Sequence, residues 1–159
     1  MSSWGDAVLK IANENPDIVV ADDANVAFTD DAPAVAPRQT TEHGEQVALF
    51  VWKDMAKHTH PELAMLFAVP NGGHRHPAVA AKMKAEGEQA GVPDVLLLVA
   101  RGRFHGLAIE MKVKPNKPTA EQLEWLERFR HYGYSAVVCY SARDAIGVIM
   151  AYLTQEGDR

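Results

Sequence analysis

Cysteine is nearly missing: Cys139 stands alone in 159 residues. That excludes a disulfide framework and a cluster of thiolate metal ligands. Cys139 lies in the apolar run 136–140, where a buried, inert thiol is expected. No apolar run is long enough to span a bilayer. No basic-then-apolar segment opens the chain. A cytoplasmic protein with no membrane partner is therefore expected. No internal repeat is present. Net positive charge is missing too: the formal charge is −5, a mild argument against a nucleic-acid partner.

The distribution of charge reverses that argument. Residues 1–36 hold seven acids and one Lys, net −6, whereas residues 37–159 hold fourteen acids and fifteen Lys or Arg, net +1. Within 71–117 eight basic residues stand against four acids, with three His besides. The field there is positive, as a phosphate-binding surface requires, although a solvated surface has the same signature. The division suggests an acidic extension over 1–40, partly ordered or a linker, and one domain over 41–159. In the extension, a helix over 4–13, strands at 18–20 and 26–28 and an extended Pro-containing linker over 31–37 are the readings available.

From residue 41 the pattern firms up. Thr41 caps a helix from 42 to about 57, which the His58-Thr59-His60-Pro61 run breaks. Residues 63–69 read as a strand, or as a short helix running into one. Pro77 opens a helix to about 88, with Gly91 as its close. Thr119 begins a helix whose Leu123, Leu126 and Phe129 form a core stripe, with Gly133 as its stop. A strand over 134–140 and a Ser141-capped helix to about 153 follow. The order helix, strand, helix, hairpin, helix, strand, helix implies an α/β fold: a small mixed β-sheet flanked by helices.

The hairpin carries the chemistry. Residues 93–112 read PDVLLLVARGRFHGLAIEMK: two apolar runs with Asp94, Glu110 and Lys112 at their ends. Charge beside a buried sheet is costly and needs a reason. A three-residue loop centred on Gly102 makes paired positions sum to 204 and sets Asp94 opposite Glu110. A two-residue Gly102-Arg103 turn moves the sum to 205, unless a bulge restores the register. Side chains alternate along a strand, so Glu110 and Lys112 share a face while Met111 points into the core. Two facing carboxylates repel unless a cation lies between them. A hard divalent ion with oxygen ligands suits that place.

Pro93-Asp94 followed by Glu110-Met111-Lys112 has the form of the PD-(D/E)XK nuclease motif. Several flanking segments narrow it: Pro70-Asn71-Gly72-Gly73-His74-Arg75, Gly91-Val92-Pro93-Asp94, Thr119-Ala120-Glu121-Gln122 and Tyr132-Gly133-Tyr134. Together they resemble the virus-type replication–repair nuclease (VRR-NUC) domain over about 42–153. The resemblance implies a restriction-endonuclease-like core and a metal-dependent, structure-selective DNA endonuclease of replication, recombination or repair. By the same resemblance Asp94, Glu110, Glu42 and the Met111 carbonyl are metal ligands for Mg²⁺ or Mn²⁺. Lys112 is the catalytic lysine and Gln122 a helix residue beside the site. Glu45 rivals Glu42, one turn away. No small-molecule cofactor is implied, and a homodimer is plausible.

Candidate DNA contacts are Asn71, Gly72, Gly73, Arg75, Lys82, Lys84, Lys114 and Lys117, which would position phosphates without reading sequence.

Plainer readings stand beside these. Thr119-x-x-Gln122 is a capping box. Glu42 and Glu45 suit a first helical turn. Lys112 can simply pair with Glu110. The pairs His58/His60 and His74/His76 fit a solvated or DNA-facing role better than a zinc site. A DNA-binding module that is inactive or needs a partner protein is the second hypothesis, and an interaction protein the third.

Overall fold

The computed structural model describes residues 41–70 and 77–155. The readings made for the first forty residues, and for Asn71, Gly72, Gly73, His74, Arg75 and His76, lie outside the described residues.

Helix α1 spans Glu42–Ala56, and the Thr41 hydroxyl accepts from the Gly44 N–H. A 3₁₀ turn over Pro61–Met65 runs directly into strand β1, Leu66–Ala68. Helix α2 covers Pro77–Ala85. It ends earlier than expected because Gly87, at φ +99°, provides the stop. The Glu88 N–H reaches the Met83 carbonyl and the Gly87 N–H the Lys84 carbonyl, the pairing of a Schellman close. Strands β2, Val95–Leu97, and β3, Leu107–Met111, form the hairpin. Helix α3, Ala120–His131, strand β4, Ser135–Cys139, and helix α4, Ala142–Leu153, complete the domain.

The sheet order is β1-β2-β3-β4. The first two pairings are antiparallel, and β3 runs parallel to β4. A parallel neighbour needs a crossover, and α3 supplies it. One sheet face presents Val95, Leu97, Leu107, Ile109, Met111, Val137 and Cys139 to Leu49 of α1 and to Val148, Ile149 and Tyr152 of α4. The other presents Leu96, Ala108, Ala136 and Val138 to Leu126 and Phe129 of α3. With Ala at 108 and 136 the helix packs close to the strands. Leu123 departs from the expected stripe: it is 49% exposed, so the core face of α3 begins at Leu126. Cys139 is fully buried, and burial pushes its thiol pKa up.

The hairpin register has a specific cause. Val95 pairs with Ile109, Leu96 with Ala108 and Leu97 with Leu107, all on the sum of 204. At the tip, however, Arg101 bridges Phe104 around a two-residue turn, on the sum of 205. Between these pairings residues 98–100 face only residues 105–106, so the first arm carries one extra residue. This bulge restores the register that sets Asp94 opposite Glu110. Gly102, at φ +51°, permits the tip.

Candidate functional site

Asp94 lies just before β2, and its carboxylate accepts the Met111 N–H at 2.9 Å. Its carbonyl accepts the Val69 N–H at 2.8 Å, so the residue is held between β1 and β3. Glu110 is fully buried, on the same face as Ala108. Lys112 follows the strand end and is only 6% exposed. Its ammonium lies 2.8 Å from Glu110 Oε1, 3.0 Å from the Met111 carbonyl and 3.3 Å from Glu42 Oε2. The Lys112–Glu110 pair is thus buried, not a solvated surface pair.

Two further elements close the cluster. Gln122 donates from Nε2 to Glu110 Oε1. Its own oxygen accepts the Thr119 N–H at 2.8 Å, and its N–H donates to the Thr119 hydroxyl at 3.3 Å. The capping box and the site contact are therefore made by one side chain. The cap fixes the Gln122 carbonyl, which turns the amide nitrogen toward Glu110. Gly91 allows this docking: at φ +82°, a Cβ there would stand 3.0 Å from the Glu121 backbone. From α1, Glu42 gives Oε2 to Lys112 and Oε1 to the Asn116 amide at 3.1 Å. Glu45 points elsewhere. Its carboxylate accepts the Ala142 N–H at 2.6 Å and caps α4.

Electrostatics follow from burial. Burial pushes the Glu110 carboxyl from its ordinary 4.5 up to about 7; the Lys112 interactions oppose this and the Asp94 charge adds to it. Burial likewise raises Asp94, against the Met111 N–H and Lys112. For Lys112 burial works against the charged form, but Glu110 and Glu42 together outweigh it and its pKa is raised. Lys112 is therefore a held cation at neutral pH.

Glu110 Oε2 is buried and has no hydrogen-bond partner among the described residues. An orphaned buried oxygen of this kind is costly and calls for an explanation. Among the described residues no group of three or more His, Cys, Asp or Glu forms a ready-made metal cage. Two carboxylates and the Met111 carbonyl nevertheless make an all-oxygen donor set. That set fits a hard divalent ion that keeps several waters. His58 and His60 belong to no such group.

Comparison with known proteins decides the family. The VRR-NUC domain model matches residues 34–143. This chain belongs to the VRR-NUC family. A solved structure described as a VRR_NUC domain protein is 31% identical, with a TM-score of 0.65 over 76% of this chain and 94% of that one. No curated protein matches the chain. The VRR-NUC domain is a nuclease-type domain, and its mixed sheet flanked by helices fits the PD-(D/E)XK-like fold.

In this VRR-NUC domain six residues named from sequence come together: Glu42, Asp94, Glu110, Met111, Lys112 and Gln122. Lys114 and Lys117 are exposed on the loop that follows Lys112. Lys82 and Lys84 are exposed on α2, where Lys82 pairs with Glu86 at 3.7 Å. Asn116 was missed. An Asn between Pro115 and Pro118 is an ordinary loop residue in sequence, and only the path of the loop brings it to Glu42.

Proposed function

We propose that this domain is a divalent-metal-dependent DNA endonuclease, selective for branched, flapped or junction DNA in replication, recombination or repair. The observation that carries the reading is the hairpin end: facing carboxylates, a buried orphan oxygen at Glu110 and a buried ammonium beside them. Asp94, Glu110 and the Met111 carbonyl would hold Mg²⁺ or Mn²⁺, with Glu42 as a further candidate ligand. When bound, such an ion polarises phosphate oxygens and lowers the pKa of bound water.

The chain's own residues do the rest. Lys112, held charged, donates toward the phosphoryl oxygens and offsets charge that develops there. Gln122, fixed by its cap, holds the Glu110 carboxylate in one orientation. Lys114 and Lys117 position the phosphate backbone beside the site, with Lys82, Lys84, Arg75 and the Asn71-Gly72-Gly73 segment as further candidates. Residues 41–159 form the nuclease domain, and residues 1–40 are an acidic extension to it. Two copies in a homodimer would present two such sites to a branched duplex.

A second reading has one observation in its favour. The Lys112 ammonium engages Glu110 Oε1, the Met111 carbonyl and Glu42 Oε2, oxygens a metal ion would use. That arrangement suits a DNA-binding module whose catalysis is absent or awaits a partner protein. Incubation of the protein with branched and linear DNA in Mg²⁺ or Mn²⁺ separates the two. Cleavage of branched DNA, lost in Asp94→Ala, supports the nuclease. DNA binding in EDTA with no cleavage under either metal supports the module.

A further inference from the structure

We propose that Tyr140 is a stacking contact for an unpaired nucleotide next to the scissile phosphate. The proposal rests on the nuclease reading and names how that site would meet a strand leaving a duplex.

The placement follows from the parallel β3–β4 ladder. Glu110 pairs with Val138 and Met111 with Cys139. The Lys112 N–H then donates to the Cys139 carbonyl at 2.8 Å, which carries the ladder one step past the strand ends. The next partners are Lys112 and Tyr140. Directly paired residues share a face, so Tyr140 emerges on the face of Glu110 and Lys112, one strand spacing of about 4.8 Å away. Its backbone is held there, because its N–H donates to the Asp144 carboxylate at 3.2 Å. The ring is only partly buried, and the Lys114 ammonium lies 5.9 Å from its centroid.

A half-open ring with an ammonium over it, beside a phosphodiester site, matches the two parts of a nucleotide. The base offers a π-face to the ring and the phosphate a charge to the lysine. Single-strand-binding surfaces combine aromatic stacking with cationic backbone contacts in this way, with little dependence on sequence. In a duplex each base face is covered by its neighbours, so only an unpaired or splayed base can use Tyr140. Discrimination between branched and continuous DNA then follows from the ring, while Lys114 contributes to both.

The test measures binding by the full chain in EDTA, where cleavage does not intervene. Two labelled DNAs of equal length are used, a blunt duplex and one with a single-stranded flap. Tyr140→Leu keeps bulk and removes the ring; it should lower flap affinity on the order of tenfold and leave duplex affinity unchanged. Tyr140→Phe should keep the flap preference, and Lys114→Ala should weaken both DNAs. In the wild type, 2-aminopurine at the first unpaired position should be quenched on binding, a readout that needs no variant. An unchanged flap affinity in Tyr140→Leu, an equal loss on both DNAs, or no quenching overturns the proposal. A wild type that binds neither DNA overturns the nuclease reading and this one with it.

Discussion

Glu110 gives the domain a pH-dependent weakness that removal of its charge should cure. Its carboxyl titrates near 7 in the fold against an ordinary 4.5, chiefly because it is buried. Below pH 4.5 the group is protonated in both folded and unfolded chains and contributes no difference. Between these values the folded protein holds a proton that the unfolded chain has released. Stability is therefore lost as pH rises through about 7. The separation is about 2.5 pH units, or roughly 3 kcal/mol at 1.36 kcal/mol per unit.

For a domain of this size that is roughly 10 °C in Tm. Lys112 does not titrate in this window: its pKa is raised from 10.5. The assay is thermal unfolding in EDTA at pH 5 and pH 8, for the wild type and Glu110→Gln. Groups away from Glu110 titrate equally in both proteins, and the amide at the orphaned Oε2 position adds a cost that does not depend on pH. The wild type should lose about 10 °C more than the variant between the two pH values. Mg²⁺ or Mn²⁺ at pH 8 should restore stability to the wild type alone, since an ion that binds only the folded state stabilises it. Equal losses in the two proteins would refute the placement of a titrating, buried Glu110.

Other perturbations separate linked roles. Thr119→Ala removes a cap contact and should cost about 1 kcal/mol in urea unfolding, with cleavage largely retained; Gln122→Ala should also cut the cleavage rate, because Glu110 loses its amide partner. Lys112→Ala leaves Glu110 buried without its cation, a loss of about 3 kcal/mol. The loss should be larger at pH 8 than at pH 6, where Glu110 can protonate, and cleavage should vanish at both. Asn116→Ala and Glu42→Gln, measured alone and together for cleavage, should couple by about 1 kcal/mol. Simple additivity would mean that Asn116 does not act through Glu42.

The hairpin register was legible because the constraint is local. Alternation along two apolar strands and the position of Gly102 narrow the pairing to two registers, and the bulge that selects the observed one needed the structure. Glu42 and Glu45 were a different case. They sit three residues apart on one first turn, and helical periodicity alone does not tell them apart. Docking of α1 against α4 does: it sends Glu45 to the Ala142 N–H and leaves Glu42 to Lys112.

Gln122 was legible as a cap and as a site residue, and the two readings describe one geometry. The end of α2 was misplaced because Gly87 and Gly91 are both plausible stops. Gly91 has its positive φ for another reason, close approach to α3. Tyr140 was read only as the end of a strand, since its neighbour Lys112 follows from a parallel register between segments 28 positions apart.

The most direct measurement is an anomalous diffraction map of crystals soaked in Mn²⁺. The account predicts one peak bounded by the Asp94 and Glu110 carboxylates and the Met111 carbonyl, absent in Asp94→Ala. A peak elsewhere, or no peak in crystals of a protein that still cleaves DNA, would contradict it.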